Sequence, residues 1–189
     1  MKEVLQKYNF GNNFISFIQN IYTNRQVQVM NNGYRFGNIP LNRGLIQGDP
    51  LSQPLFCLMA EPLANAIREH NYIKGYHLPG CPLPTKLCQY ADDTNTITTD
   101  ELSIQSTLNI FQLFEQGAGC ALHPDKIKGM TLHTNNIPHT SMDIKWNEKD
   151  GLKILGIVFF NDPQDTQNYN WLQMISPLEE KYNYLMPQS

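Results

Sequence analysis

The chain has 189 residues, of which 41% are hydrophobic and 16% charged, a composition that builds a packed core and excludes a disordered segment. That length suits one compact unit. A net charge of −3 and a pI near 5.9 give charge no part in an argument for nucleic-acid binding, because phosphate contacts need clustered Lys and Arg.

No apolar run approaches a membrane span, and Met1-Lys2-Glu3 opens directly into helical pattern instead of the apolar block of a secretory signal. An intracellular protein, cytoplasmic or nuclear, is expected. Phe14, Ile15, Phe17, Ile18, Ile21 and Tyr22 recur at helical spacing behind Gly11-Asn12-Asn13, a capping stretch, and predict a helix from Phe10 to Tyr22 packed on a sheet. Alternation in Gln26-Val27-Gln28-Val29 and again from Tyr34 to Ile39, around Asn32-Gly33, predicts a β-hairpin. The glycines and proline from Asn42 to Pro50 predict a loop. Leu51 to Glu69 then reads as a long buried helix, with Pro54 in its first turn and Pro62 kinking it.

After an irregular connection from Asn71 to Pro84, Lys86 to Thr99 predicts two short strands with Asp92-Asp93 at the tip of their hairpin. Leu102, Ile104, Leu108, Phe111, Leu113 and Phe114 mark an amphipathic helix ending near Gly117 and Gly119. Gly129 to Leu132 and Leu152 to Phe160 read as strands, in which alternation makes Leu155 and Ile157 core residues. Asp162 to Asn170 is polar and linker-like, and Asn170 to Tyr184 reads as a final helix with no clear partner. The order is mixed α+β with antiparallel hairpins.

Cys57, Cys81, Cys88 and Cys120 form no C-x-x-C pair, and buried reduced thiols are expected, with zinc a distant second. The five histidines are scattered and lack the spacing of a metal site.

Two segments carry chemistry. Tyr90-Ala91-Asp92-Asp93 sets two carboxylates side by side; in a strand they would point to opposite faces, but at a tight turn both can reach one ion. Carboxylate pairs suit hard cations such as Mg²⁺, although a bare acidic pair is most often a solvated turn. Upstream, Arg43-Gly44-Leu45-Ile46-Gln47-Gly48-Asp49-Pro50-Leu51-Ser52 runs straight into the long helix. Gly44 and Gly48 let backbone approach a ligand, Gln47 offers a donor and an acceptor, and Ser52 can cap the helix; standing alone, the segment would be a Gly-Asp-Pro turn with a helix cap.

Together, in this order and at this spacing, the two segments resemble the reverse transcriptases of non-long-terminal-repeat (LINE-type) retrotransposons. Gly119-Cys120-Ala121-Leu122-His123-Pro124-Asp125-Lys126 is similar to the family's Gly-x-x-x-Asn-x-x-Lys segment. Leu152 to Phe159 is similar to its primer-gripping strand, and Asn170-Trp171 to the start of the helix leading to the thumb. The resemblance implies an RNA-directed DNA polymerase that uses a two-metal mechanism with Mg²⁺, or Mn²⁺ as the alternative, on an RNA template, a DNA primer and deoxynucleotides, with no membrane partner. It implies an α+β fold with a palm-like antiparallel sheet and helices on one face, incomplete at the N-terminus. Residues 1–160 would be a partial palm with a remnant of fingers, and 161–189 a linker and the start of a thumb-like helix.

Carried over by position, Asp92 and Asp93 would be the catalytic, metal-binding carboxylates. Arg43, Gln47, Gly48, Asp49, Pro50, Ser52, Tyr90 and Lys126 would form the nucleotide and template pocket, and Leu155 and Gly156 the primer grip. The acidic tip is expected beside the Gln47-Gly48 loop, framing a cleft.

The chain departs from the family where a third carboxylate, on a strand before the first long helix, is expected to lie upstream of Met1. Glu3, in a helix-like stretch, is a poor substitute, so the isolated chain is expected to be inactive or nearly so. Smaller departures are Gln53-Pro54, where proline usually follows the serine directly, and His123 in place of asparagine. A non-enzymatic retroelement remnant, a nucleic-acid-binding palm scaffold and the palm of an RNA-directed RNA polymerase are the competing readings.

Overall fold

Lys2 to Lys7 forms a first short helix, α1, and the way it stops sets up the packing that follows. In this computed structural model, which describes residues 1–41, 44–119, 122–132, 136–147 and 149–185, Asn9 takes a left-handed φ of 59° just past the helix end. Its N–H then reaches the Gln6 carbonyl at 2.9 Å and the Phe10 N–H reaches the Leu5 carbonyl at 3.0 Å. This is the paired closure that a left-handed residue allows, with asparagine in the place usually taken by glycine. It folds Phe10 back onto Leu5 and leads directly into α2, Asn12–Tyr22.

Within the predicted capping stretch Gly11 is the N-cap of α2, without a side-chain cap, and Asn12 and Asn13 lie inside the helix. Ile15 and Ile18 are its buried residues, and with Leu5 of α1 and Leu55 of α3, Ser52–Glu69, they make one apolar cluster. Phe10, Tyr22, Leu45, Leu51 and Leu58 close around it. The predicted helix is therefore packed on helices, not on a sheet. α3 runs through Pro62 as a single element and buries Leu55, Leu63, Ala64 and Ile67.

Between α2 and α3 stands the predicted hairpin, β1 Gln26–Asn31 and β2 Tyr34–Pro40, paired antiparallel with a register shift between Val27 and Val29. Asn32 and Gly33 at its turn have φ of 48° and 79°, the two positive values that a tight two-residue turn of this hand requires. The alternation there sorts no buried face, since Val29, Met30, Tyr34, Phe36 and Ile39 are all exposed.

The chain resolves into two compact units, Met1–Glu69 and His70–Ser189, where the length had suggested one. In the second, Tyr76 bridges Thr85, and β3 Leu87–Tyr90 pairs antiparallel with β4 Asp93–Thr96. α4, Glu101–Ala118, is capped by the Asp100 carboxylate at its start and by left-handed Gly119, φ 67°, at its end. A single 3-10 turn at Pro124–Lys126 precedes β5 Lys128–Gly129, which pairs with β6 Lys145–Trp146 in parallel; the predicted strand from Gly129 to Leu132 is cut to this short ladder.

The C-terminal third departs from its sequence pattern in two places. The predicted single strand Leu152 to Phe160 is a hairpin, β7 Leu152–Ile154 and β8 Ile157–Phe159, because Leu155 and Gly156 turn the chain with φ of 48° and 90°. Leu155 and Ile157 are accordingly 57% and 50% exposed instead of core. The linker-like polar segment is helical as well, for α5 spans Pro163–Leu185. α5 also has a partner: the Asn170 side chain donates to the Val158 carbonyl at 2.7 Å and accepts from its N–H at 2.9 Å, and Tyr169 meets the Phe160 ring edge-on. Among the described residues the strands pair two by two, in three antiparallel ladders and one parallel ladder. No helix among the described residues is long and apolar enough to cross a membrane.

Candidate active site

The acidic tip forms as its sequence requires. Tyr90 lies directly opposite Asp93, so Ala91 and Asp92 alone make the turn of the β3–β4 hairpin. Ala91 takes φ 50°, a left-handed value that costs a residue with a Cβ on the order of 1 kcal/mol or more and survives where the surroundings dictate it. Asp92 therefore sits in the turn itself and Asp93 opens β4, which frees the two carboxylates from strict strand alternation. Tyr90, Asp92 and Asp93 are all exposed. Below the tip the Gln89 amide donates to Thr94 Oγ1 at 3.3 Å, a cross-strand bond that helps fix the register.

Oxygen-only donors at an exposed turn fit a hard divalent cation that keeps much of its water. Among the described residues no group of three or more His, Cys, Asp or Glu side chains is placed to hold a metal, so this turn offers two protein carboxylates. Cys57, Cys81 and Cys88 are free and exposed, which corrects the expectation of buried thiols; Cys120 lies outside the described residues.

The Gly44 to Ser52 loop belongs to the first unit, and its polar groups are used largely within it. Asp49 accepts from the Leu51 N–H at 3.0 Å and from the Tyr22 hydroxyl at 2.9 Å. Ser52, the first residue of α3, donates its hydroxyl to the Ile46 carbonyl at 2.6 Å, so it braces the loop instead of capping the helix. Gly44 and Gly48 hold φ of 83° and 90°, and nothing lies within 4 Å of where a Cβ would stand on either; the backbone conformation alone demands glycine. Gln47, Gly48 and Pro50 are exposed at the surface of the loop. Arg43 lies outside the described residues.

The remaining candidates belong to the second unit. Lys126 is exposed at the end of its 3-10 turn, and Leu155 and Gly156 form the exposed tip of the β7–β8 hairpin. Two features of the structure have no signal in the sequence motifs. One is the role of Tyr22 and of Arg25, whose Nη2 donates to the Gly44 carbonyl at 3.0 Å; partners 19 and 27 residues apart leave no local signal. The other is a cavity of about 290 Å³ in the second unit, lined by Lys128, Lys145, Leu152, Phe160, Asp162 and Asp165 among others and by none of the candidates.

A family model described as reverse transcriptase (RNA-dependent DNA polymerase) matches residues 2–159. The match runs from the first residue of α1 to the last of β8. The "Transposon TX1 uncharacterized 149 kDa protein" of Xenopus laevis is 26% identical over 156 residues, which cover 81% of this chain and 12% of that protein. The chain thus spans a small fraction of the length of the relative it matches.

Proposed function

The chain belongs to the reverse transcriptase (RNA-dependent DNA polymerase) family, and from that premise we propose that it is part of the RNA-directed DNA polymerase of a non-long-terminal-repeat retrotransposon. Residues 1–160 serve as palm with a remnant of fingers, and the helix beyond them leads toward a thumb. The proposed setting is intracellular, and the partners are an RNA template, a DNA primer and deoxynucleotides.

Asp92 and Asp93 hold Mg²⁺, or Mn²⁺ in its place. The observation that carries this is the Tyr90-Ala91-Asp92-Asp93 turn, which projects two exposed carboxylates from a tight hairpin. When bound, the cations stabilise the charge that develops on the attacking 3′ oxygen and on the leaving oxygen of an in-line displacement. Gln47 and Gly48 line the nascent base pair, with Arg43, Asp49, Pro50, Ser52 and Tyr90 shaping the pocket around it. Lys126 neutralises nucleotide phosphate, and the Leu155-Gly156 tip bears on the primer end.

Two carboxylates leave the cation loosely held, and a misplacement of about an ångström costs about a hundredfold in rate. The isolated 189-residue chain is therefore inactive or nearly so, and full activity needs a third carboxylate from elsewhere in the polypeptide. Primer extension on an RNA template by a protein continued upstream in its own reading frame tests the assignment. Asp92→Asn or Asp93→Asn should lower extension by at least about a hundredfold; extension that survives either substitution unchanged would remove the metal assignment.

A further inference from the structure

Loops rich in glycine are mobile unless something outside them ties them down, because each free residue carries backbone entropy that local bonds seldom offset. The Gly44 to Ser52 loop is tied at both ends by two residues that neither belong to it nor neighbour it in sequence. Tyr22, the last residue of α2, donates its hydroxyl to Asp49 Oδ2 at 2.9 Å. Arg25, just before β1, donates through Nη2 to the Gly44 carbonyl at 3.0 Å, and its guanidinium lies 4.0 Å from the centre of the Tyr22 ring. One stacked pair thus grips the entrance and the exit of the loop together, leaving Gln47 and Gly48 exposed between the two anchor points.

Arg25 Nε and Nη1 have no hydrogen-bond partner among the described residues, and the Tyr22 ring face beside the guanidinium offsets part of that cost. The one hydrogen bond the guanidinium makes there goes to the Gly44 backbone. Asp49 completes the exit side, with one carboxylate oxygen on the Leu51 N–H and the other on the Tyr22 hydroxyl.

We propose that Tyr22 and Arg25 are positioning residues that clamp the Gly44–Ser52 loop and so set the place of Gln47 and Gly48 toward the nucleotide. The inference rests on the polymerase reading for its functional consequence, but the clamp itself is testable without it. Both act through the loop that they hold.

Tyr22→Phe removes only the hydroxyl and keeps the ring under the guanidinium. Arg25→Lys keeps the charge but not the planar fork. Amide hydrogen exchange in the 189-residue chain should show the loop amides from Leu45 to Gly48 exchanging about tenfold faster in either variant, while the Ile18 and Leu55 amides keep their rates. In the upstream-extended protein the KM for deoxynucleotide should rise about tenfold with kcat little changed, since the site is preformed less often. Unchanged loop exchange, or acceleration spread evenly through α2 and α3, would overturn the clamp. A loosened loop with an unaltered KM would overturn its positioning role. Absence of any synthesis by the unsubstituted extended protein would count against the polymerase reading alone, and the exchange result would still decide the clamp.

Discussion

Asp100 illustrates how much a single residue can fix. Its carboxylate accepts from the Ser103 N–H at 2.8 Å and from the Ser103 hydroxyl at 2.6 Å, and it pairs with Lys74 at 3.0 Å. Ser103, fully buried, accepts in turn from the Lys74 N–H at 2.9 Å, so the start of α4 is pinned to the segment after His70. Those bonds from Ser103, followed by Lys74, lower the Asp100 pKa from 3.8 to about 2. A folded-state pKa below the unfolded one stabilises the fold above the unfolded value and ceases to do so as pH falls through the window from 3.8 to about 2. The side chain is 33% exposed, so screening limits its worth; Asp100→Ala should cost about 1 kcal/mol at neutral pH. Denaturant unfolding of the two proteins should show that gap closing between pH 5 and pH 2. A gap that stays constant would contradict the assignment. By contrast, Asp92→Asn and Asp93→Asn, at an exposed turn, should leave stability nearly unchanged.

Among residues, the sequence marked Asp92, Asp93, Gln47 and Gly48 through local motifs, whose meaning lies in neighbours along the chain. It did not mark Tyr22, Arg25 or Ser103, whose meaning lies in partners 19 to 31 residues away.

At the scale of elements, turns decide what the strands become. Alternation reads the same on both sides of a two-residue turn, and for that reason Leu152 to Phe160 resembled one strand. The positive φ at Leu155 and Gly156 makes it a hairpin. Gly156 has open space around it, so Gly156→Ala should cost only the backbone penalty, about 1 kcal/mol. Gly151, φ 75°, is crowded as well: a Cβ there would lie 2.7 Å from the Phe159 carbonyl oxygen and from Val158 Cγ1. Gly151→Ala should therefore destabilise more than Gly156→Ala, and equal melting temperatures for the two variants would refute the argument.

α5 shows the complementary lesson. Its polar N-terminal half has no apolar periodicity to declare it, and it is held instead by side chains that bond the hairpin backbone. Asn170 engages both polar groups of Val158, and Thr166 Oγ1 accepts from the Phe160 N–H at 2.8 Å. Asn170→Leu would leave the Val158 N–H and carbonyl without those partners, and should cost about 1–3 kcal/mol. Hydrogen exchange at Val158 should accelerate accordingly; an unaltered rate would mean that α5 is held by other contacts.

On the scale of the whole chain, averages concealed a division. Six basic and four acidic residues fall in Met1–Glu69, eight and thirteen in His70–Ser189, so the net charge of −3 separates into +2 and −5. The unit carrying the Gln47 loop is cationic although the whole chain is acidic, and any salt-dependent contact with phosphate is expected there first. The α+β class, helices α3 and α4 and both predicted hairpins were legible because periods of 3.6 and 2 and the residues of tight turns are local properties. The parallel β5–β6 ladder joins Lys128 to Lys145 across an intervening segment and has no such local signal.

Paramagnetic broadening of amide resonances by Mn²⁺ in the 189-residue chain tests the proposed cation site at the Asp92–Asp93 turn without any need for catalysis. Resonances of Tyr90 to Thr94 should broaden first, and Asp92→Asn with Asp93→Asn should abolish the effect. Broadening that begins elsewhere, or that persists in the doubly substituted chain, would place the cation away from these two carboxylates.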